Sequence, residues 1–126
     1  MLFNALADDH DDGDLARSRL GQDPSLNAPH LVDLEVLSVL RRRASAGQLS
    51  PRRVRLALQD LADLPMLRYP HLPFASRIWS LRDALTPYDA AYVALAEELH
   101  CPLVTADRRL SRSSGPRCPV ELVRLR

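Results

Sequence analysis

Apolar positions recur along the chain at two different spacings. In "HLVDLEVLSVLRRRASAG", residues 30–47, hydrophobics return every three or four positions. That is the period of an amphipathic helix. Its three arginines suit the negative helix end, and Gly47 is the natural stop. "SPRRVRLALQDLADL" repeats the pattern, with Ser50 as N-cap and Pro51 at the first helical position. A further helix is predicted in "PFASRIWSLRDAL", with Ile78, Leu81 and Leu85 on one face, and another from a Thr86 cap and Pro87 to about His100. Near the start, "LFNALADD" and "DLARSRL" predict two short helices around a solvated acidic turn, "DHDDGD".

Short apolar runs between turn residues predict strands. "PMLRYP" lies between prolines, "CPLVTAD" has the length and content of a buried strand, and "VELVRLR" alternates like a last strand. "SLNAP" holds room for one more, within a polar stretch that contains Gly21, Pro24 and Pro29. "RRLSR" is one helical turn. Helices alternating with buried strands imply an α/β fold with a parallel sheet covered on both faces. In such folds ligands bind beyond the carboxyl ends of the strands, where Asp107 falls. No repeat or linker divides residues 1–126, so one domain is expected.

The composition excludes several classes. A formal net charge of +1 leaves no global field toward nucleic acid or membrane, so such affinity must come from local clusters. All 17 basic residues are arginine, which reads first as coding bias and second as selection for phosphate-matching guanidinium groups. Cys101 and Cys118 lack metal-site spacing, no secretory leader opens the chain, and no apolar run is long enough to span a bilayer. A cytoplasmic protein without a membrane segment, carrying two reduced thiols, is the expectation.

Three carboxylates stand in unusual company. Glu35 has Leu31, Val32, Ser38 and Val39 three and four residues away, so its helix face is nearly all apolar. It is either a rim residue reaching an arginine such as Arg42, or a buried acid that needs a cation. Asp89 sits three residues after the Thr86 cap, where it can complete a capping box, yet it faces Tyr92, Val93 and Ala96. Asp107 is a turn residue capping the following "RRL", or a ligand at a strand end. Carboxylates that converge repel unless a cation sits among them, and Mg²⁺ suits all-oxygen ligands. The matching chemistry is metal-assisted attack on a phosphodiester. Arg41, Arg42, Arg43, Arg108, Arg109 and Arg112 lie near the acids in sequence and could hold a polyanion or simply be solvated.

At these residues the chain resembles a known family. "LTPYDAAYVALAEELHCPLVTADRRL" is similar to the C-terminal signature of PIN-domain nucleases, specifically VapC-type toxins of toxin–antitoxin pairs, and "HLVDLEVLSVLRR" resembles their acidic segment. The resemblance implies a PIN-like α/β/α sandwich with a central parallel sheet and Mg²⁺-dependent endoribonuclease activity, with Mn²⁺ as a possible substitute. It also implies a cognate VapB-like antitoxin whose tail occupies the acidic groove, an RNA substrate and a homodimer. Carried over by motif, Glu35, Asp89 and Asp107 match three of the family's acidic positions as catalytic and metal-holding residues. Thr105 matches the small polar residue before the last acid.

The family pattern opens with a strand ending in a further metal-binding aspartate, whereas Met1 here falls where the first helix has begun, and Asp8 and Asp9 lie too far along to match. Either translation starts upstream of Met1, or the chain is a shortened relative with weaker metal binding and an open sheet position. The latter would favour a domain that binds antitoxin or RNA without cleaving. A receiver-like domain also gathers acids at strand ends, but it needs a lysine, and the chain has none.

Overall fold

The structure, a computed structural model, describes residues 2–23 and 25–125. Pro24, from the polar stretch, and Arg126, at the end of the last expected strand, lie outside the described residues. The elements run α1 (Leu2–Ala7), α2 (Asp11–Leu20), β1 (Leu26–Pro29), α3 (Leu31–Ser45), α4 (Pro51–Asp63) and β2 (Met66–Tyr69). A 3₁₀ turn (Leu72–Phe74), α5 (Ala75–Ser80), α6 (Pro87–Glu98), β3 (Leu103–Thr105), α7 (Arg108–Ser111) and β4 (Val120–Leu122) follow. Among the described residues the strands make two two-stranded sheets, β1–β2 and β3–β4, the second parallel with Leu103 opposite Val120 and Thr105 opposite Leu122. This is the α/β class that the sequence predicts.

The chain resolves into two compact units, one of residues 1–26, 31–67 and 125–126, the other of residues 27–30 and 68–124. In the first, α3 and α4 pack against each other and both against α1. Leu6, Ala7, Val36, Leu40, Ala57 and Leu61 form its core, with Leu2 and Leu49 against it. α4 starts as its sequence dictates: Ser50 Oγ accepts the Arg53 N–H at 3.1 Å, and Pro51 stands first in the helix. Arg53 then clamps the α1–α2 connection, its Nε and Nη2 each 3.0 Å from the Asp9 carboxylate, with Nη2 also donating to the Leu6 carbonyl at 2.8 Å.

The acidic segment differs from the expected turn. α2 begins at Asp11, so Asp11, Asp12 and Asp14 occupy its first turn, and Asp14 N–H donates to the His10 carbonyl. Carboxylates there favour the positive helix end, which is why the helix takes up residues that a pattern of charge alone assigns to a loop.

In the second unit, Leu81, Ala90, Val93, Ala96, Leu103 and Leu110 form the core, with Ile78, Leu85, Tyr92, Cys101 and Cys118 packed on it. α6 is the centre of this unit. Its small residues Ala90, Ala91, Ala94 and Ala96 are all buried, which lets neighbouring backbone approach closely. The long helix expected over residues 73–85 is shorter, ending at Ser80. Beyond it the hydrogen bonds tighten, Leu81 N–H to Ile78 O and Arg82 N–H to Trp79 O, so the backbone passes through turns before Thr86. The last strand stops at Leu122 instead of continuing along "VELVRLR".

One bidentate ion pair ties the second unit together. Arg77 Nε and Nη2 reach the Glu97 carboxylate at 2.7 and 2.9 Å, Nη2 also donates to the Gly115 carbonyl, and the Arg117 N–H donates to Glu97 Oε2 at 2.7 Å. The charged hydrogen bonds from Arg77 outweigh the opposing effect of burial and hold the Glu97 carboxyl below the usual range.

Candidate active site

Asp89 and Asp107 belong to the second unit, and each stands at a capped element start. The Thr86 hydroxyl accepts the Asp89 N–H at 3.3 Å, which fixes the first turn of α6 and with it the backbone of Asp89. The Asp89 side chain is half-buried, and among the described residues none donates to its carboxylate. It is a sheltered acid left open to an outside partner.

Asp107 follows β3 and caps α7. Its Oδ1 accepts the Arg109 N–H at 2.8 Å, its Oδ2 lies 3.4 Å from the Arg109 guanidinium, and its own N–H donates to Thr105 Oγ1 at 3.0 Å. Burial pushes this carboxyl up. The Arg109 backbone N–H and guanidinium, with the Leu110 N–H, push it down further, and the net effect leaves it below the ordinary range. Asp107 is therefore an anion at neutral pH, with lone pairs still open beside the cap. Of the two readings of this residue, the turn cap is the one that these hydrogen bonds show.

Glu35 departs from the buried-acid reading and stands at the rim instead. The buried stripe of α3 is Val32, Val36 and Leu40, four residues apart. Glu35 precedes Val36 and is turned about 100° from it around the helix axis. It is exposed, beside the exposed Leu34. The apolar neighbours that suggested a dry face are partly solvated themselves, since Val39 is only half-buried and Ser38 is exposed. The more sheltered acid of this helix is Asp33, in its first turn. Glu35 belongs to the first unit and the two aspartates to the second. Among the described residues, no three His, Cys, Asp or Glu side chains gather closely enough to hold a metal ion.

The acids at the other end of the sequence have structural work. Asp8, Asp9, His10, Asp11, Asp12 and Asp14 line a shallow hollow. Within it Asp8 Oδ1 accepts the His10 N–H, Asp9 is held by Arg53, and Asp14 pairs with Arg17 at 2.6 Å. Sequence reasoning missed Glu97 and Arg77. The partners lie 20 residues apart on different helices, and no local spacing signals that they meet.

Basic side chains flank the acids in both units. Arg41 and Arg42 in the last turns of α3, and Arg52 and Arg55 at the start of α4, are exposed and form no ion pair among the described residues. Arg108 and Arg112 are likewise exposed around α7.

Comparison with known proteins shows the family. The family described as "PIN domain" matches residues 1–115. A VapC ribonuclease of Mycobacterium bovis and ribonuclease VapC9 of Mycobacterium tuberculosis are each 49% identical over 98 residues, covering 78% of this chain and 77% of theirs. Ribonuclease VapC1 of Mycobacterium tuberculosis is 46% identical over 99 residues, 78% of this chain and 74% of its own. The chain belongs to the PIN-domain family, as a VapC-type member. No helix among its described residues is long and apolar enough to cross a membrane.

Proposed function

We propose that this chain is the endoribonuclease toxin of a toxin–antitoxin pair, hydrolysing RNA phosphodiester bonds with Mg²⁺, or Mn²⁺ in its place, and held inactive by a VapB-like antitoxin. Residues 1–126 act as one PIN-like domain, in the cytoplasm, as a homodimer. The observation that carries the reading is the half-buried carboxylate of Asp89, open at a capped helix start, in the same unit as an anionic Asp107 just past a strand end. Support comes from relatives named ribonucleases that are similar over more than three quarters of the chain.

The donor chemistry suits a hard divalent cation, since all three acids offer carboxylate oxygens. Asp89 and Asp107 would hold the ion, with Glu35 as the third acid. When bound, such an ion offsets charge on the phosphate oxygens and lowers the pKa of a bound water. The residues themselves do the rest. The Thr86 cap keeps the Asp89 backbone in place, the Arg109 N–H aims Asp107, and the exposed arginines of α3, α4 and α7 attract RNA phosphates.

The test is cleavage of a fluorophore-quencher RNA with Mg²⁺, Mn²⁺ or EDTA. Cleavage that needs the ion, and that Asp89→Asn abolishes with an unchanged circular dichroism spectrum, is the expected result. Full activity in Asp89→Asn rejects the assignment. A second reading is favoured by the lack of a gathered three-acid group among the described residues. In it the domain binds antitoxin or RNA without cleaving, and binding of RNA with no product in either metal would decide for it.

A further inference from the structure

Cys101 and Cys118 are the only cysteines of the chain, both free and both half-buried. One strand pair fixes where they stand. β3 and β4 are parallel with Leu103 opposite Val120, and the Leu103 N–H donates to the carbonyl of Pro119, the residue before β4, at 2.9 Å. The two cysteines lie two residues before this pair of partners, Cys101 ahead of Leu103 and Cys118 ahead of Val120, and the two thiols are near enough to act on each other electrostatically. Leu103 is buried in the second core. Both cysteines do pack on that core. Paired strands lie about 4.8 Å apart, inside the range of about 4.4–6.8 Å between Cα atoms that a disulfide bridges.

α6 tethers both segments independently of the sheet. The Cys101 N–H donates to the Ala96 carbonyl at 3.1 Å, and the Arg117 N–H, next to Cys118, donates to the carboxylate of Glu97 at 2.7 Å. Two consecutive residues of one helix therefore anchor the two thiol-bearing positions.

We propose that Cys101 and Cys118 form an oxidation site, where hydrogen peroxide joins them in an intramolecular disulfide just ahead of β3 and β4. The Cys101 thiolate attacks a peroxide oxygen and the O–O bond breaks. A sulfenic acid remains on Cys101, and the leaving oxygen departs as water after protonation. The Cys118 sulfur then attacks the sulfenic sulfur, forming the S–S bond and releasing a second water. The two thiols lose two electrons and two protons, and the peroxide is reduced to two waters. Burial, and after it the nearby Glu97 carboxylate, pushes the Cys118 thiol up, which suits the resolving partner. The closed loop contains β3, α7 and Asp107.

The experiment treats the reduced full chain with hydrogen peroxide, then denatures it in iodoacetamide for intact and peptide mass spectrometry. The expected product has lost two hydrogens, carries no alkyl group, runs as a monomer without reductant and yields a Cys101–Cys118 linked peptide. Dithiothreitol restores two alkylation sites. The bond should raise Tm by about 5–10 °C, and Cys101→Ser or Cys118→Ser should each prevent the mass loss. Two alkylated thiols after peroxide would overturn the proposal, as would sulfinic acids on both residues, a disulfide found only between chains, or a fall in Tm. The measurement on the unaltered chain needs no variant to fold.

Discussion

The Asp107 carboxylate caps α7, and the metal-holding role proposed for it can be separated from that cap by substitution. Asparagine keeps an oxygen for the Arg109 N–H, whereas alanine removes it. Asp107→Asn is expected to keep Tm close to that of the parent while losing metal-dependent cleavage. Asp107→Ala should lose cleavage and also about 1 kcal/mol of stability, the usual worth of an N-cap. Calorimetry with the RNA assay checks both, and an active Asp107→Asn would leave Asp107 with only its cap. Glu97 offers a different test, through pH. Its folded carboxyl is depressed chiefly by Arg77, so it contributes stability above the unfolded pKa of about 4.3, and loses it as pH falls through the lower folded value. Glu97→Gln should be less stable at neutral pH by about 1–3 kcal/mol and should show a shallower fall of Tm with acid. Parallel Tm curves for the two proteins would remove Glu97 as a contributor to the acid transition.

At the level of elements, what the sequence discloses follows the range of the interaction that decides it. The caps at Ser50 and Thr86, each with proline first in the helix, are local chemistry, and both stand as the spacing predicts. The end of α6 is also local, but its signal is faint. The His100 N–H donates to the Glu97 carbonyl, the Cys101 N–H to that of Ala96, and His100 takes φ 52°. This is a left-handed cap with histidine where glycine is usual. His100→Gly is accordingly expected to raise stability by about 0.5–1 kcal/mol, read as a higher Tm; a lower Tm would mean the imidazole contributes more than its backbone strain costs. What lies hidden depends on distance. Neighbours three and four residues away give Glu35 an inward look, but which side of α3 is inward depends on Leu6, Ala57 and Leu61, from two other helices. The helix expected to reach residue 85 stops at Ser80 because the backbone tightens there, and no single residue announces it. The candidate acids themselves are legible as residues, since motif and cap chemistry mark Asp89 and Asp107 alike. Whether they share an ion is not, since that is a property of tertiary arrangement.

For the molecule as a whole, a net charge of +1 argues against RNA affinity from a long-range field, so binding must reside in local arginines. Arg41, Arg42, Arg52 and Arg55 flank the α3–α4 connection, are exposed, and have no ion-pair partner among the described residues, so each guanidinium is available to a phosphate. Arg53, beside them, is different: its fork is occupied by Asp9. The expectation is that replacing Arg41, Arg42, Arg52 and Arg55 with glutamine weakens binding of a single-stranded RNA and lowers the slope of log affinity against log salt by about 3, at roughly 0.7 for each phosphate no longer neutralised. Fluorescence anisotropy in EDTA isolates this from cleavage. Arg53→Gln should instead lower Tm and leave the salt slope near its original value, since it frees Asp9 and takes no guanidinium away from a phosphate. If the fourfold variant kept the full slope, the α3–α4 arginines would be a solvated face, and the arginines around α7 would remain as the phosphate-binding groups to test.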